Sequence, residues 1–445
     1  MTAKDIELLI GLFAVVTALG ILARWLRIAY PILLVLGGLV LSLQSWVPDV
    51  KLQPDLVFLL FLPPLLYAAA FNTHWPAFRQ QLRSITLLAI GLVFFTMLLV
   101  AAACVYLLGL PWEVGFVLGA IVSPPDAVAA TAITQRVKLP RIISTILEGE
   151  SLVNDASALV AYKFAIAAVA IGTFHLGEAT IQFFVMSLGG LAIGVAGAIG
   201  SIHLLRWLAR NDLTDSKTII TITLLTPYAM YLPAEHLHVS GVLATVAAGL
   251  WVGSRCENVF EKEVYVEARA VWEMVEFLMN GAIFILIGLQ LSTILDALTT
   301  EDVSLGDLLY QGAVVSIVVI AARLIWMFPG AYLPRWLDGK VCKVSPAYPP
   351  PRHVFIVGWT GMRGVVSLAA ALAIPLTTAS GLGFPHRNLL KFLTFCVIFS
   401  TLVLQGLTLP FLIRWLGVTE KDGPPATPEG IPEEPQHIIE TTPLV

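Results

Sequence analysis

The chain has 445 residues, of which 58% are hydrophobic and only 13% charged, with 26 Lys and Arg against 30 Asp and Glu for a net charge of -4. A water-soluble enzyme of that length needs more polar surface, and a mean hydropathy of +0.85 with recurring apolar stretches predicts an all-α polytopic membrane protein embedded in the lipid bilayer. Scattered bases on an acidic chain leave no footprint for nucleic acid, barrel strands would alternate where these segments do not, and four cysteines without metal-ligand spacing argue against a zinc site.

About thirteen spans are predicted, at 6–23, 28–46, 54–71, 84–108, 112–134, 142–171, 179–205, 218–233, 239–253, 272–292, 308–333, 353–376 and 389–415. The first has no basic leader and ends at Arg24 and Arg27, as expected of a retained span and not of a cleaved signal peptide. Gly190 and Gly194 permit a close helix contact in the seventh span. The ninth is short enough for a re-entrant or tilted helix. The connection 254–271 alternates acids and bases and reads as an amphipathic interfacial stretch. Residues 418–445, rich in Pro and Glu, are expected to form a short disordered cytoplasmic tail. With the N-terminus outside and the C-terminus cytoplasmic, nineteen bases fall in cytoplasmic segments and four outside, which sets the expected orientation in a cell inner membrane. No GxxxxGK[ST] loop is present to couple the spans to nucleotide hydrolysis.

Lys163, Arg323 and Arg363 fall within predicted spans, where an unpaired base is costly and needs a partner or a wet cavity. The fifth span carries Ser123-Pro124-Pro125-Asp126 in an apolar run; tandem prolines remove two amide donors, so the helix unwinds there and exposes carbonyls able to receive a cation. The sixth begins EGESLVNDASALV, with Glu150 and Asn154 on one helix face and Asp155 beside them at a depth where a carboxylate cannot face lipid. Asp155 is the best single candidate for holding Na+ or a proton in turn. Burial disfavours a charged carboxylate and a bound cation favours it, so proton and cation compete for one site. In the twelfth span Gly358, Gly361 and Gly364 loosen the helix around Arg363, which suggests a second interrupted helix crossing the first. Arg363 is a candidate partner for Glu150 and Arg323 for offsetting the field at Asp155; either base also serves as plain architecture. Glu235 stands at an outer edge, beside a His236-x-His238 pair that lacks further metal ligands.

The blocks FLPPLLYAAAF at 61–71, SPPDAVAAT at 123–131, EGESLVNDASALV at 148–160, HVSGVLATVAAGL at 238–250 and GMRGVVSLAAA at 361–371 resemble, in this order, the bacterial members of the monovalent cation:proton antiporter family that includes the animal sodium/proton exchangers. The resemblance implies thirteen spans in inverted repeats with two crossed broken helices, and an antiporter domain over 1–417. Within it, core helices including 84–171 and 308–415 move against dimerising helices early in the chain and around 179–292. It also implies a homodimer that exchanges Na+ or Li+ for H+ by alternating access, with no cofactor and no enzymatic step. Carried over residue by residue, Asp155 is the cation and proton carboxylate, Ser151 and Asp126 belong to its oxygen-rich surroundings, and Asn154 organises the unwound region. Glu150 is a buried pairing residue, and Arg323 and Arg363 stabilise the two breaks. Relatives often carry Thr where this chain has Pro125, so a direct ligand there would be a backbone carbonyl. The Asn154-Asp155 pair resembles the electroneutral branch. K+/H+ exchange on the same fold is the alternative, and a cation channel a more distant one.

Overall fold

The computed structural model describes residues 3–44, 58–137, 139–171, 176–211, 215–255, 262–299, 304–341, 348–378 and 381–419. Helices α1 (Ala3–Leu26), α2 (Tyr30–Ser42) and α3 (Leu62–Phe71) come first. Two short helices, α4 (Trp75–Gln80) and α5 (Leu82–Thr86), lead through a wide turn at Leu87–Leu92 into α6 (Val93–Leu108). One interrupted rod follows as α7 (Trp112–Val122) and α8 (Ala127–Val137), then α9 (Arg141–Ile171), α10 (Leu176–Arg210), α11 (Ser216–His236) and α12 (Gly241–Gly253). After the long α13 (Lys262–Thr299) and α14 (Leu305–Val341), a second interrupted rod is made of α15 (Pro351–Trp359) and α16 (Val365–Leu372). The last rod runs from α17 (Arg387–Ser400) through a wide turn at Thr401–Gln405 into α18 (Gly406–Trp415). Among the described residues seven helical stretches are long and apolar enough to cross a membrane, and four more are apolar but shorter.

Local chemistry explains the helix boundaries. Prolines occupy the first turn of α2, α3, α4 and α15, where a missing amide costs nothing. Asp215 and Ser240 cap α11 and α12 by accepting the Thr218 and Leu243 amides at 2.9 and 3.2 Å. At a rise of 1.5 Å per residue the 38 residues of α13 span about 57 Å, well beyond a hydrocarbon layer of about 30 Å. The connection 254–271, expected as a separate surface segment, is from Lys262 onward simply the first turns of this rod. The expected tail lies outside the described residues beyond Thr419, as do Cys256 and Cys342.

Two sets of helices pack chiefly among themselves. One joins α1, α2 and α3 to α10, α11, α12 and α13; the other joins α5 through α9 to α14 through α18. Contacts of α9 with α3 and α12, α2 with α8, and α13 with α17 hold the sets together. Gly190 and Gly194 serve an internal contact: a methyl group at either would stand 2.4 or 2.2 Å from the Ser240 or Ala244 carbonyl oxygen, so α10 lies directly against α12. The two interrupted rods sit in the second set, and they position the polar centre of the molecule.

Candidate functional site

Helix α7 ends where Pro124 and Pro125 have no amide to continue it, and α15 ends where Thr360 Oγ1 donates to the Ile356 and Val357 carbonyls at 3.1 and 2.9 Å. The two breaks meet directly, because the Asp126 amide donates to the Met362 carbonyl at 2.7 Å. Asp126 then caps both half-helices that leave the crossing: Oδ1 accepts the Val128 amide of α8 at 2.8 Å, and Oδ2 accepts the Val365 amide of α16 at 3.3 Å. A carboxylate is well placed there, since helix N-termini present unpaired amides and the positive end of the helix dipole. The approach requires glycine at 364, where a Cβ would lie 1.8 Å from Asp126 Oδ2.

Helix α9 passes beside the crossing and sorts its polar residues by face. Glu148, Ser151, Leu152 and Asp155, at helical spacing, line a cavity of about 430 Å³ together with Asp126, whereas Glu150 and Asn154 are buried, 1% and 0% exposed. Ser151 Oγ accepts the Ala127 amide at 3.2 Å. Asn154 Nδ2 donates to the Pro125 carbonyl at 3.2 Å, so the backbone oxygen expected as a ligand is held by an amide, while Asn154 Oδ1 has no hydrogen-bond partner among the described residues. Ser157 Oγ donates to the Asn154 carbonyl at 2.9 Å and to that of Ala89, in the wide turn at Leu87–Leu92.

Asp155 is 6% exposed, and among the described residues its carboxylate has neither an ion pair nor a hydrogen bond. Asp126 lies within electrostatic range of it. Glu150 is held differently. Arg323 grips it with both arms, Nη2 to Oε2 at 2.8 Å and Nη1 to Oε1, and also donates to the Val357 carbonyl from Nη2 at 3.1 Å and from Nε at 3.3 Å. The expected pairing of Glu150 with Arg363 is thereby corrected: Arg323, reaching from α14, takes the carboxylate and also secures a carbonyl left free at the end of α15. Arg363 is fully buried within electrostatic range of both, its amide donates to Thr401 Oγ1 at 3.0 Å, and among the described residues its three guanidinium nitrogens have no hydrogen-bond partner.

At the other end of α9 a separate cavity of about 380 Å³ is lined by Lys163 and Glu235, which form an ion pair at 3.3 Å across α9 and α11. Glu235 also accepts the Gly241 amide at 3.2 Å, fixing it to the start of α12. The two cavities share no lining residue. The first also carries Tyr30, Glu273, Glu276 and Asn280, which the sequence reading did not single out. Among the described residues no group of three or more His, Cys, Asp or Glu could hold a metal ion in a protein cage. What the crossing offers instead is a carboxylate that meets no base among the described residues, on a cavity wall it shares with Asp126 and Ser151.

The family model described as sodium/hydrogen exchanger, transmembrane, matches residues 11–415. A sodium/proton exchanger of Mycobacterium bovis is 36% identical over 93% of this chain and 74% of its own length. A sodium, potassium, lithium and rubidium/proton antiporter of Bacillus pumilus is 34% identical over 90% of this chain and 60% of its own. Among solved structures, the sodium proton antiporter of Methanocaldococcus jannaschii at pH 8 covers 93% of this chain and 99% of its own at a TM-score of 0.69 and 19% identity, a likeness of fold.

Proposed function

This chain belongs to the sodium/hydrogen exchanger family, multi-pass membrane proteins that work as secondary transporters, and from that premise we propose that it exchanges Na+ for H+ through Asp155 by alternating access. The observation that carries the site is the contrast between burial and freedom: Asp155 is nearly enclosed yet unpaired, at the end of a cavity that water can fill. A cation or a proton neutralises it equally well, and each displaces the other. Ser151, Asp126 and the Pro125 carbonyl supply neighbouring oxygens that replace part of the hydration shell of Na+.

Charge bookkeeping supports one-for-one, electroneutral exchange. At the crossing itself three carboxylates, Glu150, Asp126 and Asp155, face two guanidinium groups, Arg323 and Arg363, an excess of one acid; Glu148, further along the cavity wall, lies outside this count. A single Na+, Li+ or proton brings the excess to zero, and a neutral centre is the form that can change sides in a low-dielectric medium. The first cavity, lined from α3, α9 and α13, lies toward the end of the molecule that carries Arg141 and Arg269, which supports access to Asp155 from the cytoplasmic side; the second, with the Lys163–Glu235 pair in its wall, lies toward the other end of α9. In this reading α5–α9 and α14–α18 are the moving core, and the remaining helices, including the sparsely covered α10 with Phe184 and Leu188 exposed, dimerise with a second copy in a plasma membrane of thirteen-span topology.

Purified protein in liposomes with an internal pH dye tests this. Added Na+ or Li+ should drive proton movement, the half-saturating Na+ concentration should rise as pH falls because protons compete, and an imposed potential should leave the steady rate unchanged. Asp155→Asn should abolish exchange; retained exchange in that variant overturns the site. A second reading, K+/H+ exchange, is favoured by Pro125, which offers no side-chain hydroxyl, and by the breadth named for the Bacillus relative. Substituting K+ for Na+ in the same assay decides between them.

A further inference from the structure

The wall of the first cavity opposite Asp155 belongs to α13, and its polar residues have no part in the crossing. Glu273, Glu276 and Asn280 follow at spacings of three and four, which puts them on one helix face, and all three line the cavity. Glu273 is engaged by Arg269 at 3.0 Å. Glu276, half-buried, has no base within ion-pair distance among the described residues, with Arg269 only within electrostatic range; the Asn72 amide lies 3.5 Å from its Oε1. Asn280 is 4% exposed, and its buried Oδ1 has no hydrogen-bond partner among the described residues. An orphaned amide oxygen is costly unless a donor or a cation answers it. Because the orphan is an acceptor beside a carboxylate, the missing partner is positively charged or a water that carries such a partner, not an anion.

We propose that Glu276 and Asn280 form a waiting site for a partly hydrated monovalent cation on the α13 wall, from which the cation passes to Asp155. One carboxylate and one amide oxygen are too few ligands to strip a cation of its water, so the ion held here keeps most of it. Tyr30, on the same cavity wall, lies within electrostatic range of both Glu276 and Asp126, and its hydroxyl marks the path between the two places. Helix α13 packs with the first set of helices and α9 with the second. The waiting site therefore does not travel with Asp155, and it serves exchange from the cavity side alone.

The inference rests on the exchange reading, and sidedness separates the two. Everted and right-side-out membrane vesicles carrying the wild type, Glu276→Gln, Asn280→Leu and Asn280→Asp are titrated with Na+ at fixed ionic strength, with proton movement as the readout. From the cavity side, E276Q and N280L should raise the half-saturating Na+ concentration about fivefold or more, and N280D should lower it. From the opposite side all four should agree. N280L is the decisive variant because it alters no charge: if it behaves as the wild type, Glu276 acts only through its field and there is no site. Equal changes from both sides, or N280D moving in the same direction as N280L, also overturn the proposal. Absence of exchange in the wild type would instead remove the reading on which it rests.

Discussion

Glu150 and Asp155 stand five residues apart on one helix, both almost wholly buried, and their surroundings give them opposite fates. Glu150 points into the packed second set of helices, where Arg323 binds both oxygens and ties them to the end of α15. Asp155 points the other way, into a cavity, and meets no base. A buried carboxylate with a permanent bidentate partner is a structural bolt; the same group without one is poised to accept whatever cation arrives. Helix rotation of a little over one turn is enough to separate the two roles.

The sharpest way to break this comparison is to remove each charge in turn. Glu150→Gln or Arg323→Met strands a buried charge and should cost about 3–5 kcal/mol, lowering the thermal midpoint in detergent. Asp155→Asn relieves an unpaired buried charge and should leave the midpoint unchanged or higher, while abolishing its dependence on Na+. A fall in stability for Asp155→Asn matching that of Glu150→Gln would show that both are bolts. Restoring the double variant Glu150→Leu/Arg323→Met toward wild-type stability would confirm that the pair is architectural.

An intermediate effect is expected at Asn154. Asn154→Asp places a second carboxylate beside Asp155 and takes the amide from the Pro125 carbonyl, so the occupied crossing is no longer neutral with one bound cation. Exchange should then respond to an imposed potential, measured in the same liposomes, and unchanged insensitivity would sink the charge argument. The smallest effect belongs to the other end of α9. Lys163 and Glu235 are 49% and 37% exposed, and an ion pair of that kind contributes about 0–1 kcal/mol. Lys163→Met should therefore change the exchange rate by about fivefold at most, an effect that added salt reproduces in the wild type.

The breaks were legible because their cause is local: two prolines without amides, and three glycines around a base, act where they stand. The carboxylate was legible because an ionised group deep in an apolar run needs a reason. Which arginine meets Glu150 was not, since the pair closes over 173 residues and depends on the rotation of α14 against α9. Gly190 and Gly194 announced a close contact without naming α12 as its other side. The α13 wall left a trace as well. Glu273, Glu276 and Asn280 all fall inside the predicted span 272–292, and a tally of intramembrane bases alone passes over them.

Position 364 illustrates how a lesion can be displaced from its target. Every other amino acid adds at least one carbon, and here that carbon would collide with one oxygen of the carboxylate that splints two half-helices at once. A missense change from glycine, even to alanine, would evict the acid at position 126 without altering it, so a genetic screen for residues with ion-handling chemistry would score a residue that has no side chain at all.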